Sequence, residues 1–148
     1  MIVAESQATG GQGIAAIRWN EVGDAELLAG PDGQAYATGW ANAITDSGYI
    51  VGHVGPNPFD TEALIWDPQG TAYRLKDFLP EAFADYDVVT PFSIAADDQR
   101  INILALIRDT NDQTYTVTLQ TTFAAVPEPA SATLIVLGTL ALLPTRRR

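Results

Sequence analysis

The chain of 148 residues contains no cysteine and a single histidine, His53. The lack of cysteine excludes disulfide bonds, zinc–thiolate sites and cysteine nucleophiles, and one histidine excludes a metal site built from several. The sequence also has no phosphate-binding loop, no dinucleotide-binding glycine pattern and no Gly-x-Ser-x-Gly turn around a nucleophilic serine. No catalytic residues and no cofactor are therefore expected.

Positive charge is scarce through most of the chain. Residues 1–126 hold 5 Lys and Arg against 17 Asp and Glu, and the other basic residues, Arg146, Arg147 and Arg148, end the sequence. Proteins that bind nucleic acid need clustered Lys and Arg to contact phosphates. We therefore expect no nucleic-acid partner, and we read the acidity mainly as a property of a soluble surface.

Apolar residues make up 47% of the chain, which is enough for a hydrophobic core. They occur in short runs separated by Gly, Pro, Asn and Asp, a pattern that predicts an all-β fold. The predicted strands are 14–19, 49–54, 63–66, 72–75, 101–108 and 115–120, and the predicted turns are 30–33, 46–48, 67–70 and 109–112. The segment 75–86 is expected to form one short helix or an irregular loop.

An internal repeat indicates how the strands are organised. Residues 16–19 (Ala-Ile-Arg-Trp) recur as 63–66 (Ala-Leu-Ile-Trp) and as 105–108 (Ala-Leu-Ile-Arg), at offsets of 47 and 42 residues. A second element, 43–52, aligns with 94–103. Units of about 45 residues with several strands each are typical of propeller-like blades or stacked β-meanders. About two and a half units are predicted in 1–122.

These repeat motifs resemble the HAF extracellular repeats of bacterial exported proteins, which read Ala-Phe-Leu-Trp followed by Ile-Asn-x-x-Gly-x-Val-Val-Gly. The resemblance covers residues 1–119 and implies no catalytic residue. Trp19 and Trp66 take equivalent positions and are predicted to pack in the core. The third copy has Arg108 there, a divergence that is typical of a terminal capping unit.

The C-terminal segment has three parts with different chemistry. Pro127, Glu128 and Pro129 form an extended, accessible stretch, because proline cannot join a sheet interior. An uncharged apolar run, 130–143, follows, and three arginines end the chain. As a helix the run is about 21 Å long, and snorkelling arginines lengthen its effective span towards the ~30 Å hydrocarbon core. The residues predicted to lie in the membrane include Ala130, Leu134, Leu137, Leu140 and Leu143, with Arg146, Arg147 and Arg148 as a basic stop on the cytoplasmic side.

This order of parts resembles the PEP-CTERM sorting signal. The resemblance implies that an exosortase-type membrane protease recognises Pro127, Glu128 and Pro129 while the protein is transiently in the inner membrane. It also implies delivery to the cell surface or the exterior, in the setting of biofilm and exopolysaccharide production. Since the N-terminus lacks an export signal and the first repeat begins mid-pattern, the true start is expected upstream of Met1. The predicted organisation is a β repeat domain (1–122), a linker (123–131) and a hydrophobic helix with a basic tail (132–148).

The sequence thus predicts an exported, exosortase-processed surface or extracellular-matrix repeat protein without catalytic activity, with exopolysaccharide as a candidate partner. One alternative is an uncleaved, tail-anchored β domain that binds a ligand such as carbohydrate or calcium. The other is a secreted carbohydrate-active enzyme, for which the candidate carboxylate pairs are Asp85 with Asp87 and Asp97 with Asp98.

Two smaller expectations concern single sites. The weak calcium candidates are Asp109, Asn111 and Asp112, whose oxygen atoms alternate along a turn. The full EF-hand pattern is absent, because Thr114 and Gln120 stand where glycine and glutamate are required. An ordinary hairpin turn is therefore the favoured interpretation, and no metal site is predicted. His53 is expected to lie in a loop.

Overall fold

The computed structural model describes residues 2–7, 14–20, 22–36, 38–97 and 100–121. This part of the chain forms ten strands and two short 3-10 helices, so the all-β prediction is confirmed. The strands are β1 (Ile2–Gln7), β2 (Ile14–Trp19), β3 (Ala25–Leu27), β4 (Thr38–Ile44), β5 (Ile50–Asn57), β6 (Asp60–Trp66), β7 (Ala72–Arg74), β8 (Asp87–Ala96), β9 (Ile101–Arg108) and β10 (Thr114–Thr121). The 3-10 helices are Leu75–Phe78 and Glu81–Phe83, in the segment where the sequence predicts a short helix or loop.

The strands form two open sheets. The larger has seven strands in the order β1-β2-β4-β5-β6-β7, with β3 also paired to β2, and the smaller has the order β10-β9-β8. Neighbouring strands are antiparallel except β2 and β4, which meet in parallel at the single pair Ile14 and Thr38. The chain therefore forms three meanders that follow one another in sequence, β1–β3, β4–β7 and β8–β10. The first two belong to the larger sheet, and the third is the smaller sheet.

The central hairpin of β5 and β6 is buried on both faces, because apolar residues occupy both alternating sets of positions. One face contributes Val51, Ala63 and Ile65 to the core between the two sheets, where they meet Ile103 and Ile107 of β9. The opposite face carries a second core, whose buried members are Ala16, Leu28, Ile50, Val54, Leu64 and Trp66. The hairpin thus lies between the two cores of the described fold.

The three copies of the sequence repeat lie on β2, β6 and β9. Ala63 and Ile65 of the second copy and their equivalents Ala105 and Ile107 of the third all point into the core between the sheets. Equivalent faces therefore pack against each other as in a sandwich, whereas propeller blades present opposite faces to their neighbours. The meander description thus fits these two units.

The third repeat unit has fewer strands than the second. Residues 50–52 and 63–66 lie on two strands, β5 and β6, but their aligned counterparts, 101–103 and 105–108, lie together on β9. A single strand therefore carries two motifs that form a hairpin in the second unit.

Three strands were not predicted from the sequence: β1, β4 and β8. β4 is rich in small residues and contains a register shift between Ala41 and Ala43. β8 contains Pro91 and two register shifts, which an edge strand tolerates since one of its sides makes no ladder hydrogen bonds. Of the two predictions that concern His53, the strand at 49–54 is confirmed and the loop is wrong, because β5 continues through His53 to Asn57.

No helix within the described ranges is long and apolar enough to cross a membrane. The predicted linker, the sorting motif Pro127, Glu128 and Pro129, the membrane segment 130–143 and the basic stop 146–148 lie outside the described residues.

Candidate functional site

The same capped turn follows each copy of the repeat. Asn20, Asp67 and Asp109 each use one side-chain oxygen to accept hydrogen bonds from the backbone N–H groups two and four residues later. The six distances lie between 2.8 and 3.1 Å. The fourth residue of each turn has a positive φ, and it is Gly23, Gly70 or Asp112. The sequence repeat therefore corresponds to a recurring structural feature: an Asn- or Asp-capped turn connects the two strands of each hairpin.

Tyrosines reinforce two of these turns. The Tyr73 hydroxyl donates to Asp67 Oδ2 at 3.2 Å, and the Tyr115 hydroxyl donates to Asp109 Oδ2 at 3.3 Å. The backbone hydrogen bond from Gln113, followed by that from Asn111 and the Tyr115 contact, holds the pKa of Asp109 below its usual range. Both carboxylate oxygens of Asp109 thus accept hydrogen bonds that stabilise the turn.

The calcium candidates share this turn but do not converge on one point with other acidic side chains. Asp112 lies 3.8 Å from the guanidinium of Arg108. Within the described ranges no group of three His, Cys, Asp or Glu is placed to hold a metal ion.

The lowered pKa of Asp109 predicts a pH-dependent contribution to stability. Because its folded pKa lies below the unfolded value of about 3.9, the contribution is present at neutral pH and is lost as pH falls through the folded pKa. Asp109→Asn keeps the accepting oxygen but removes the titration. We expect the difference in urea midpoint between the wild type and this variant to change between about pH 5 and pH 2 and to be constant above pH 5.

NMR titration of the Asp109 carboxyl carbon measures the pKa directly. A value at or above that of an unstructured peptide would contradict the prediction. Tyr115→Phe serves as a control. It removes the weaker contact to Asp109 Oδ2 but leaves both backbone hydrogen bonds, so the pKa of Asp109 should stay below its usual range.

A cleft of about 720 Å³ lies at the far end of the central hairpin. Its walls come from both sheets, because β5 and β6 bring the hairpin tip beside β8 and β9. The lining residues are Tyr36, 54–56, 58–63, Lys76, 87–89 and Arg108. This concave surface is the candidate functional site.

The most exposed large apolar side chain in the described structure is on the cleft. Phe59 is 98% exposed at the hairpin tip, where its backbone N–H donates to Asn57 Oδ1 at 2.9 Å. Pro56 and Pro58 lie on either side of Asn57 and line the same cleft. Proline has few backbone conformations, so the tip presents Phe59 from a stiff support.

Charged groups of both signs line the cleft. Lys76 donates to Asp87 at 2.9 Å, and Glu62 accepts from Arg74 at 2.7 Å. These pairs are half-exposed, so they contribute little to stability. The Lys76–Asp87 pair places a carboxylate oxygen beside an N–H donor on the wall of the cleft.

Two more polar side chains complete the lining. Asp60 follows Phe59 at the tip, and the Tyr36 hydroxyl donates to Asp32 at 3.2 Å. Partial desolvation, and then this hydrogen bond, raises the pKa of Tyr36, so the phenol stays protonated at neutral pH.

A second aromatic group consists of the exposed Phe83 and Tyr115 and the partly buried Tyr86. The centroids of Phe83 and Tyr86 are 5.3 Å apart with rings at 87°, and those of Tyr86 and Tyr115 are 6.1 Å apart at 38°. Rings at these angles pack against one another and share no common plane. They therefore form no flat platform for a ligand.

His53 packs against Trp40, with ring centroids 4.7 Å apart and the ring planes tilted at 39°. Its Nδ1 atom is buried, and no other described residue supplies a hydrogen bond to it. Burial lowers the pKa of the imidazole, so the ring is neutral at physiological pH. His53 serves packing beside the cleft and does not line it.

Apart from Asp87, which belongs to one of the carboxylate pairs considered for an enzyme, the residues of the cleft were not identified from the sequence. Tyr36, Phe59 and Arg108 are far apart along the chain and meet only because the two sheets pack together. The one local signal is the run Gly-Pro-Asn-Pro-Phe at 55–59, in which a large aromatic residue follows turn-forming residues.

The prediction that Trp19 and Trp66 pack in the core is confirmed for Trp66. Trp66 is fully buried, and its Nε1 donates to the Ala29 carbonyl at 2.7 Å, whereas Trp19 is half-buried.

Comparisons with known proteins add no family: no family model matches the chain, and no curated protein and no solved structure is significantly similar to it.

Proposed function

We propose that the protein is an exported, exosortase-processed surface or extracellular-matrix repeat protein, and that its β body binds a partner without catalysing a reaction. The observation that carries the proposal is the capped turn that recurs after each repeat. In these turns the carboxylates of Asp67 and Asp109 each accept two backbone hydrogen bonds. They serve as parts of a scaffold.

The composition of the C-terminal segment supports the sorting step. A Pro-Glu-Pro stretch, an uncharged apolar run and three terminal arginines follow one another in 127–148. The last described strand ends at Thr121, so the motif follows the folded body within a few residues. A protease in the membrane needs such an extended substrate between a folded domain and an anchored segment.

Mass spectrometry of the mature C-terminus tests this proposal on protein from the native cells and their medium. We expect the wild-type chain to end near Pro127, Glu128 and Pro129, without residues 132–148. A variant carrying Pro127→Ala and Pro129→Ala should keep Arg148 and stay with the inner membrane. Pro144→Ala, which changes a proline in the same tail outside the motif, should be processed like the wild type.

Two outcomes would contradict the proposal. Wild-type protein that retains Arg148 in the inner membrane would support the uncleaved, tail-anchored alternative. Normal processing of the double proline variant would show that Pro127 and Pro129 are not recognised.

A further inference from the structure

We propose that the cleft at the tip of the β5–β6 hairpin binds a neutral oligosaccharide, with Phe59 stacking on a sugar ring. The inference names the ligand of the surface protein proposed above and rests on that proposal for its extracellular setting.

The first argument is the exposure of Phe59. A phenylalanine that is 98% exposed gains nothing from the fold, and it stands at the rim of a cleft of about 720 Å³. Clefts of roughly 300–1,000 Å³ are the size of small-molecule sites. An aromatic ring held on a proline-stiffened turn covers an apolar surface at low entropic cost. The C–H face of a pyranose ring is such a surface.

The second argument is the chemistry of the walls. A sugar edge presents vicinal hydroxyl groups, each of which donates and accepts a hydrogen bond. Asp60 and Asp87 offer acceptors, while Lys76 and Arg108 offer donors. The Lys76–Asp87 pair, with its atoms 2.9 Å apart, places a donor beside an acceptor. Of two neighbouring sugar hydroxyls, one can accept from Lys76 while the other donates to Asp87. Hydrogen bonds to charged groups are stronger than those between neutral groups.

The third argument is charge, which decides between neutral and acidic ligands. The cleft holds the carboxylates of Asp60, Glu62 and Asp87 against the cations of Lys76 and Arg108, so its own charge is nearly balanced. Residues 1–126 carry 17 acidic and 5 basic side chains. A polyanion such as a uronate polymer is repelled by that field, whereas a neutral glycan is not.

Affinity electrophoresis tests the proposal with the 148-residue chain in a detergent that has no sugar headgroup. Native gels are cast with dextran, hydroxyethyl cellulose, galactomannan or xyloglucan as neutral polymers, and with alginate as the polyanion. We expect at least one neutral polymer to retard the protein and alginate to leave its migration unchanged. Phe59→Ala should weaken the retarding interaction about tenfold, and Asp60→Ala should also weaken it.

Val22→Ala is the matched control, because Val22 is 82% exposed but lies outside the cleft; it should be retarded like the wild type. Since Phe59 is so exposed, Phe59→Ala should unfold at the same urea concentration as the wild type. Three results would overturn the proposal: no retardation by any neutral polymer, retardation by alginate, or equal retardation of the Phe59→Ala variant. None of them depends on how the C-terminus is processed, so the two proposals fail separately.

Discussion

Trp66→Ala is expected to destabilise the protein by about 3–5 kcal/mol, the range for removing a fully buried aromatic side chain. Trp66 is completely inaccessible to solvent and packs with Leu64 and Ile50 in the second core. Truncation leaves a cavity that the sheet cannot close, and it removes the donor of the hydrogen bond to the Ala29 carbonyl. Because whole domains are stable by only about 5–15 kcal/mol, urea unfolding should show a large shift of the midpoint.

Two further variants separate the contributions. Trp66→Phe retains an aromatic ring but leaves the Ala29 carbonyl without its donor, so we expect a loss of about 1–3 kcal/mol. Trp19→Ala changes the equivalent residue of the first repeat, which is only half-buried, and should cost clearly less than Trp66→Ala. Equal costs at the two positions, or a cost below about 1 kcal/mol at Trp66, would contradict the burial that the structure assigns.

The pattern of successes in sequence-based prediction has a physical cause. The bounds of β2 and β9 and all four predicted turns agree with the structure, because short apolar runs and Asp- or Gly-containing turns are local features. β4 was missed because it is rich in small residues, and β8 because Pro91 interrupts an otherwise strand-forming run. Pro91 is buried in β8, and its carbonyl accepts a hydrogen bond from Asn42 Nδ2 of β4 at 2.7 Å. Pairing with β5 and β9 and packing between the two sheets hold these segments extended.

The candidate site is still more dependent on tertiary structure. Phe59 belongs to a hairpin whose tip is recognisable from its prolines, but Lys76, Asp87 and Arg108 come from another part of the chain. Arg108 stands where the other two copies of the repeat have tryptophan. Trp66 is buried, whereas the Arg108 side chain is 47% exposed at the cleft. Divergence at that one position indicates that the last unit differs from the others, but it does not indicate where the side chain lies.

Gly52→Ala is expected to destabilise the protein by about 3 kcal/mol or more, although it adds only one methyl group. Gly52 lies in β5 between Ala41 of β4 and Leu64 of β6. A Cβ atom there would overlap the backbone carbonyl of Trp40, and it would also lie 3.0 Å from the Ala41 Cα. Since these are backbone atoms, no change of rotamer relieves the overlap, and β4 must separate from β5.

Gly33→Ala provides the matched control, because a Cβ at Gly33 meets no atom within 4 Å. Its cost comes only from the left-handed φ of +75°, about 1–2 kcal/mol for a residue with a side chain. Urea unfolding of both variants should therefore rank Gly52→Ala well below Gly33→Ala in stability. The reverse order would mean that β4 does not approach β5 at Trp40. If the predicted order is observed, the glycine of the Ile-Val-Gly motif is required by the close approach of β4, since only glycine fits against the Trp40 carbonyl.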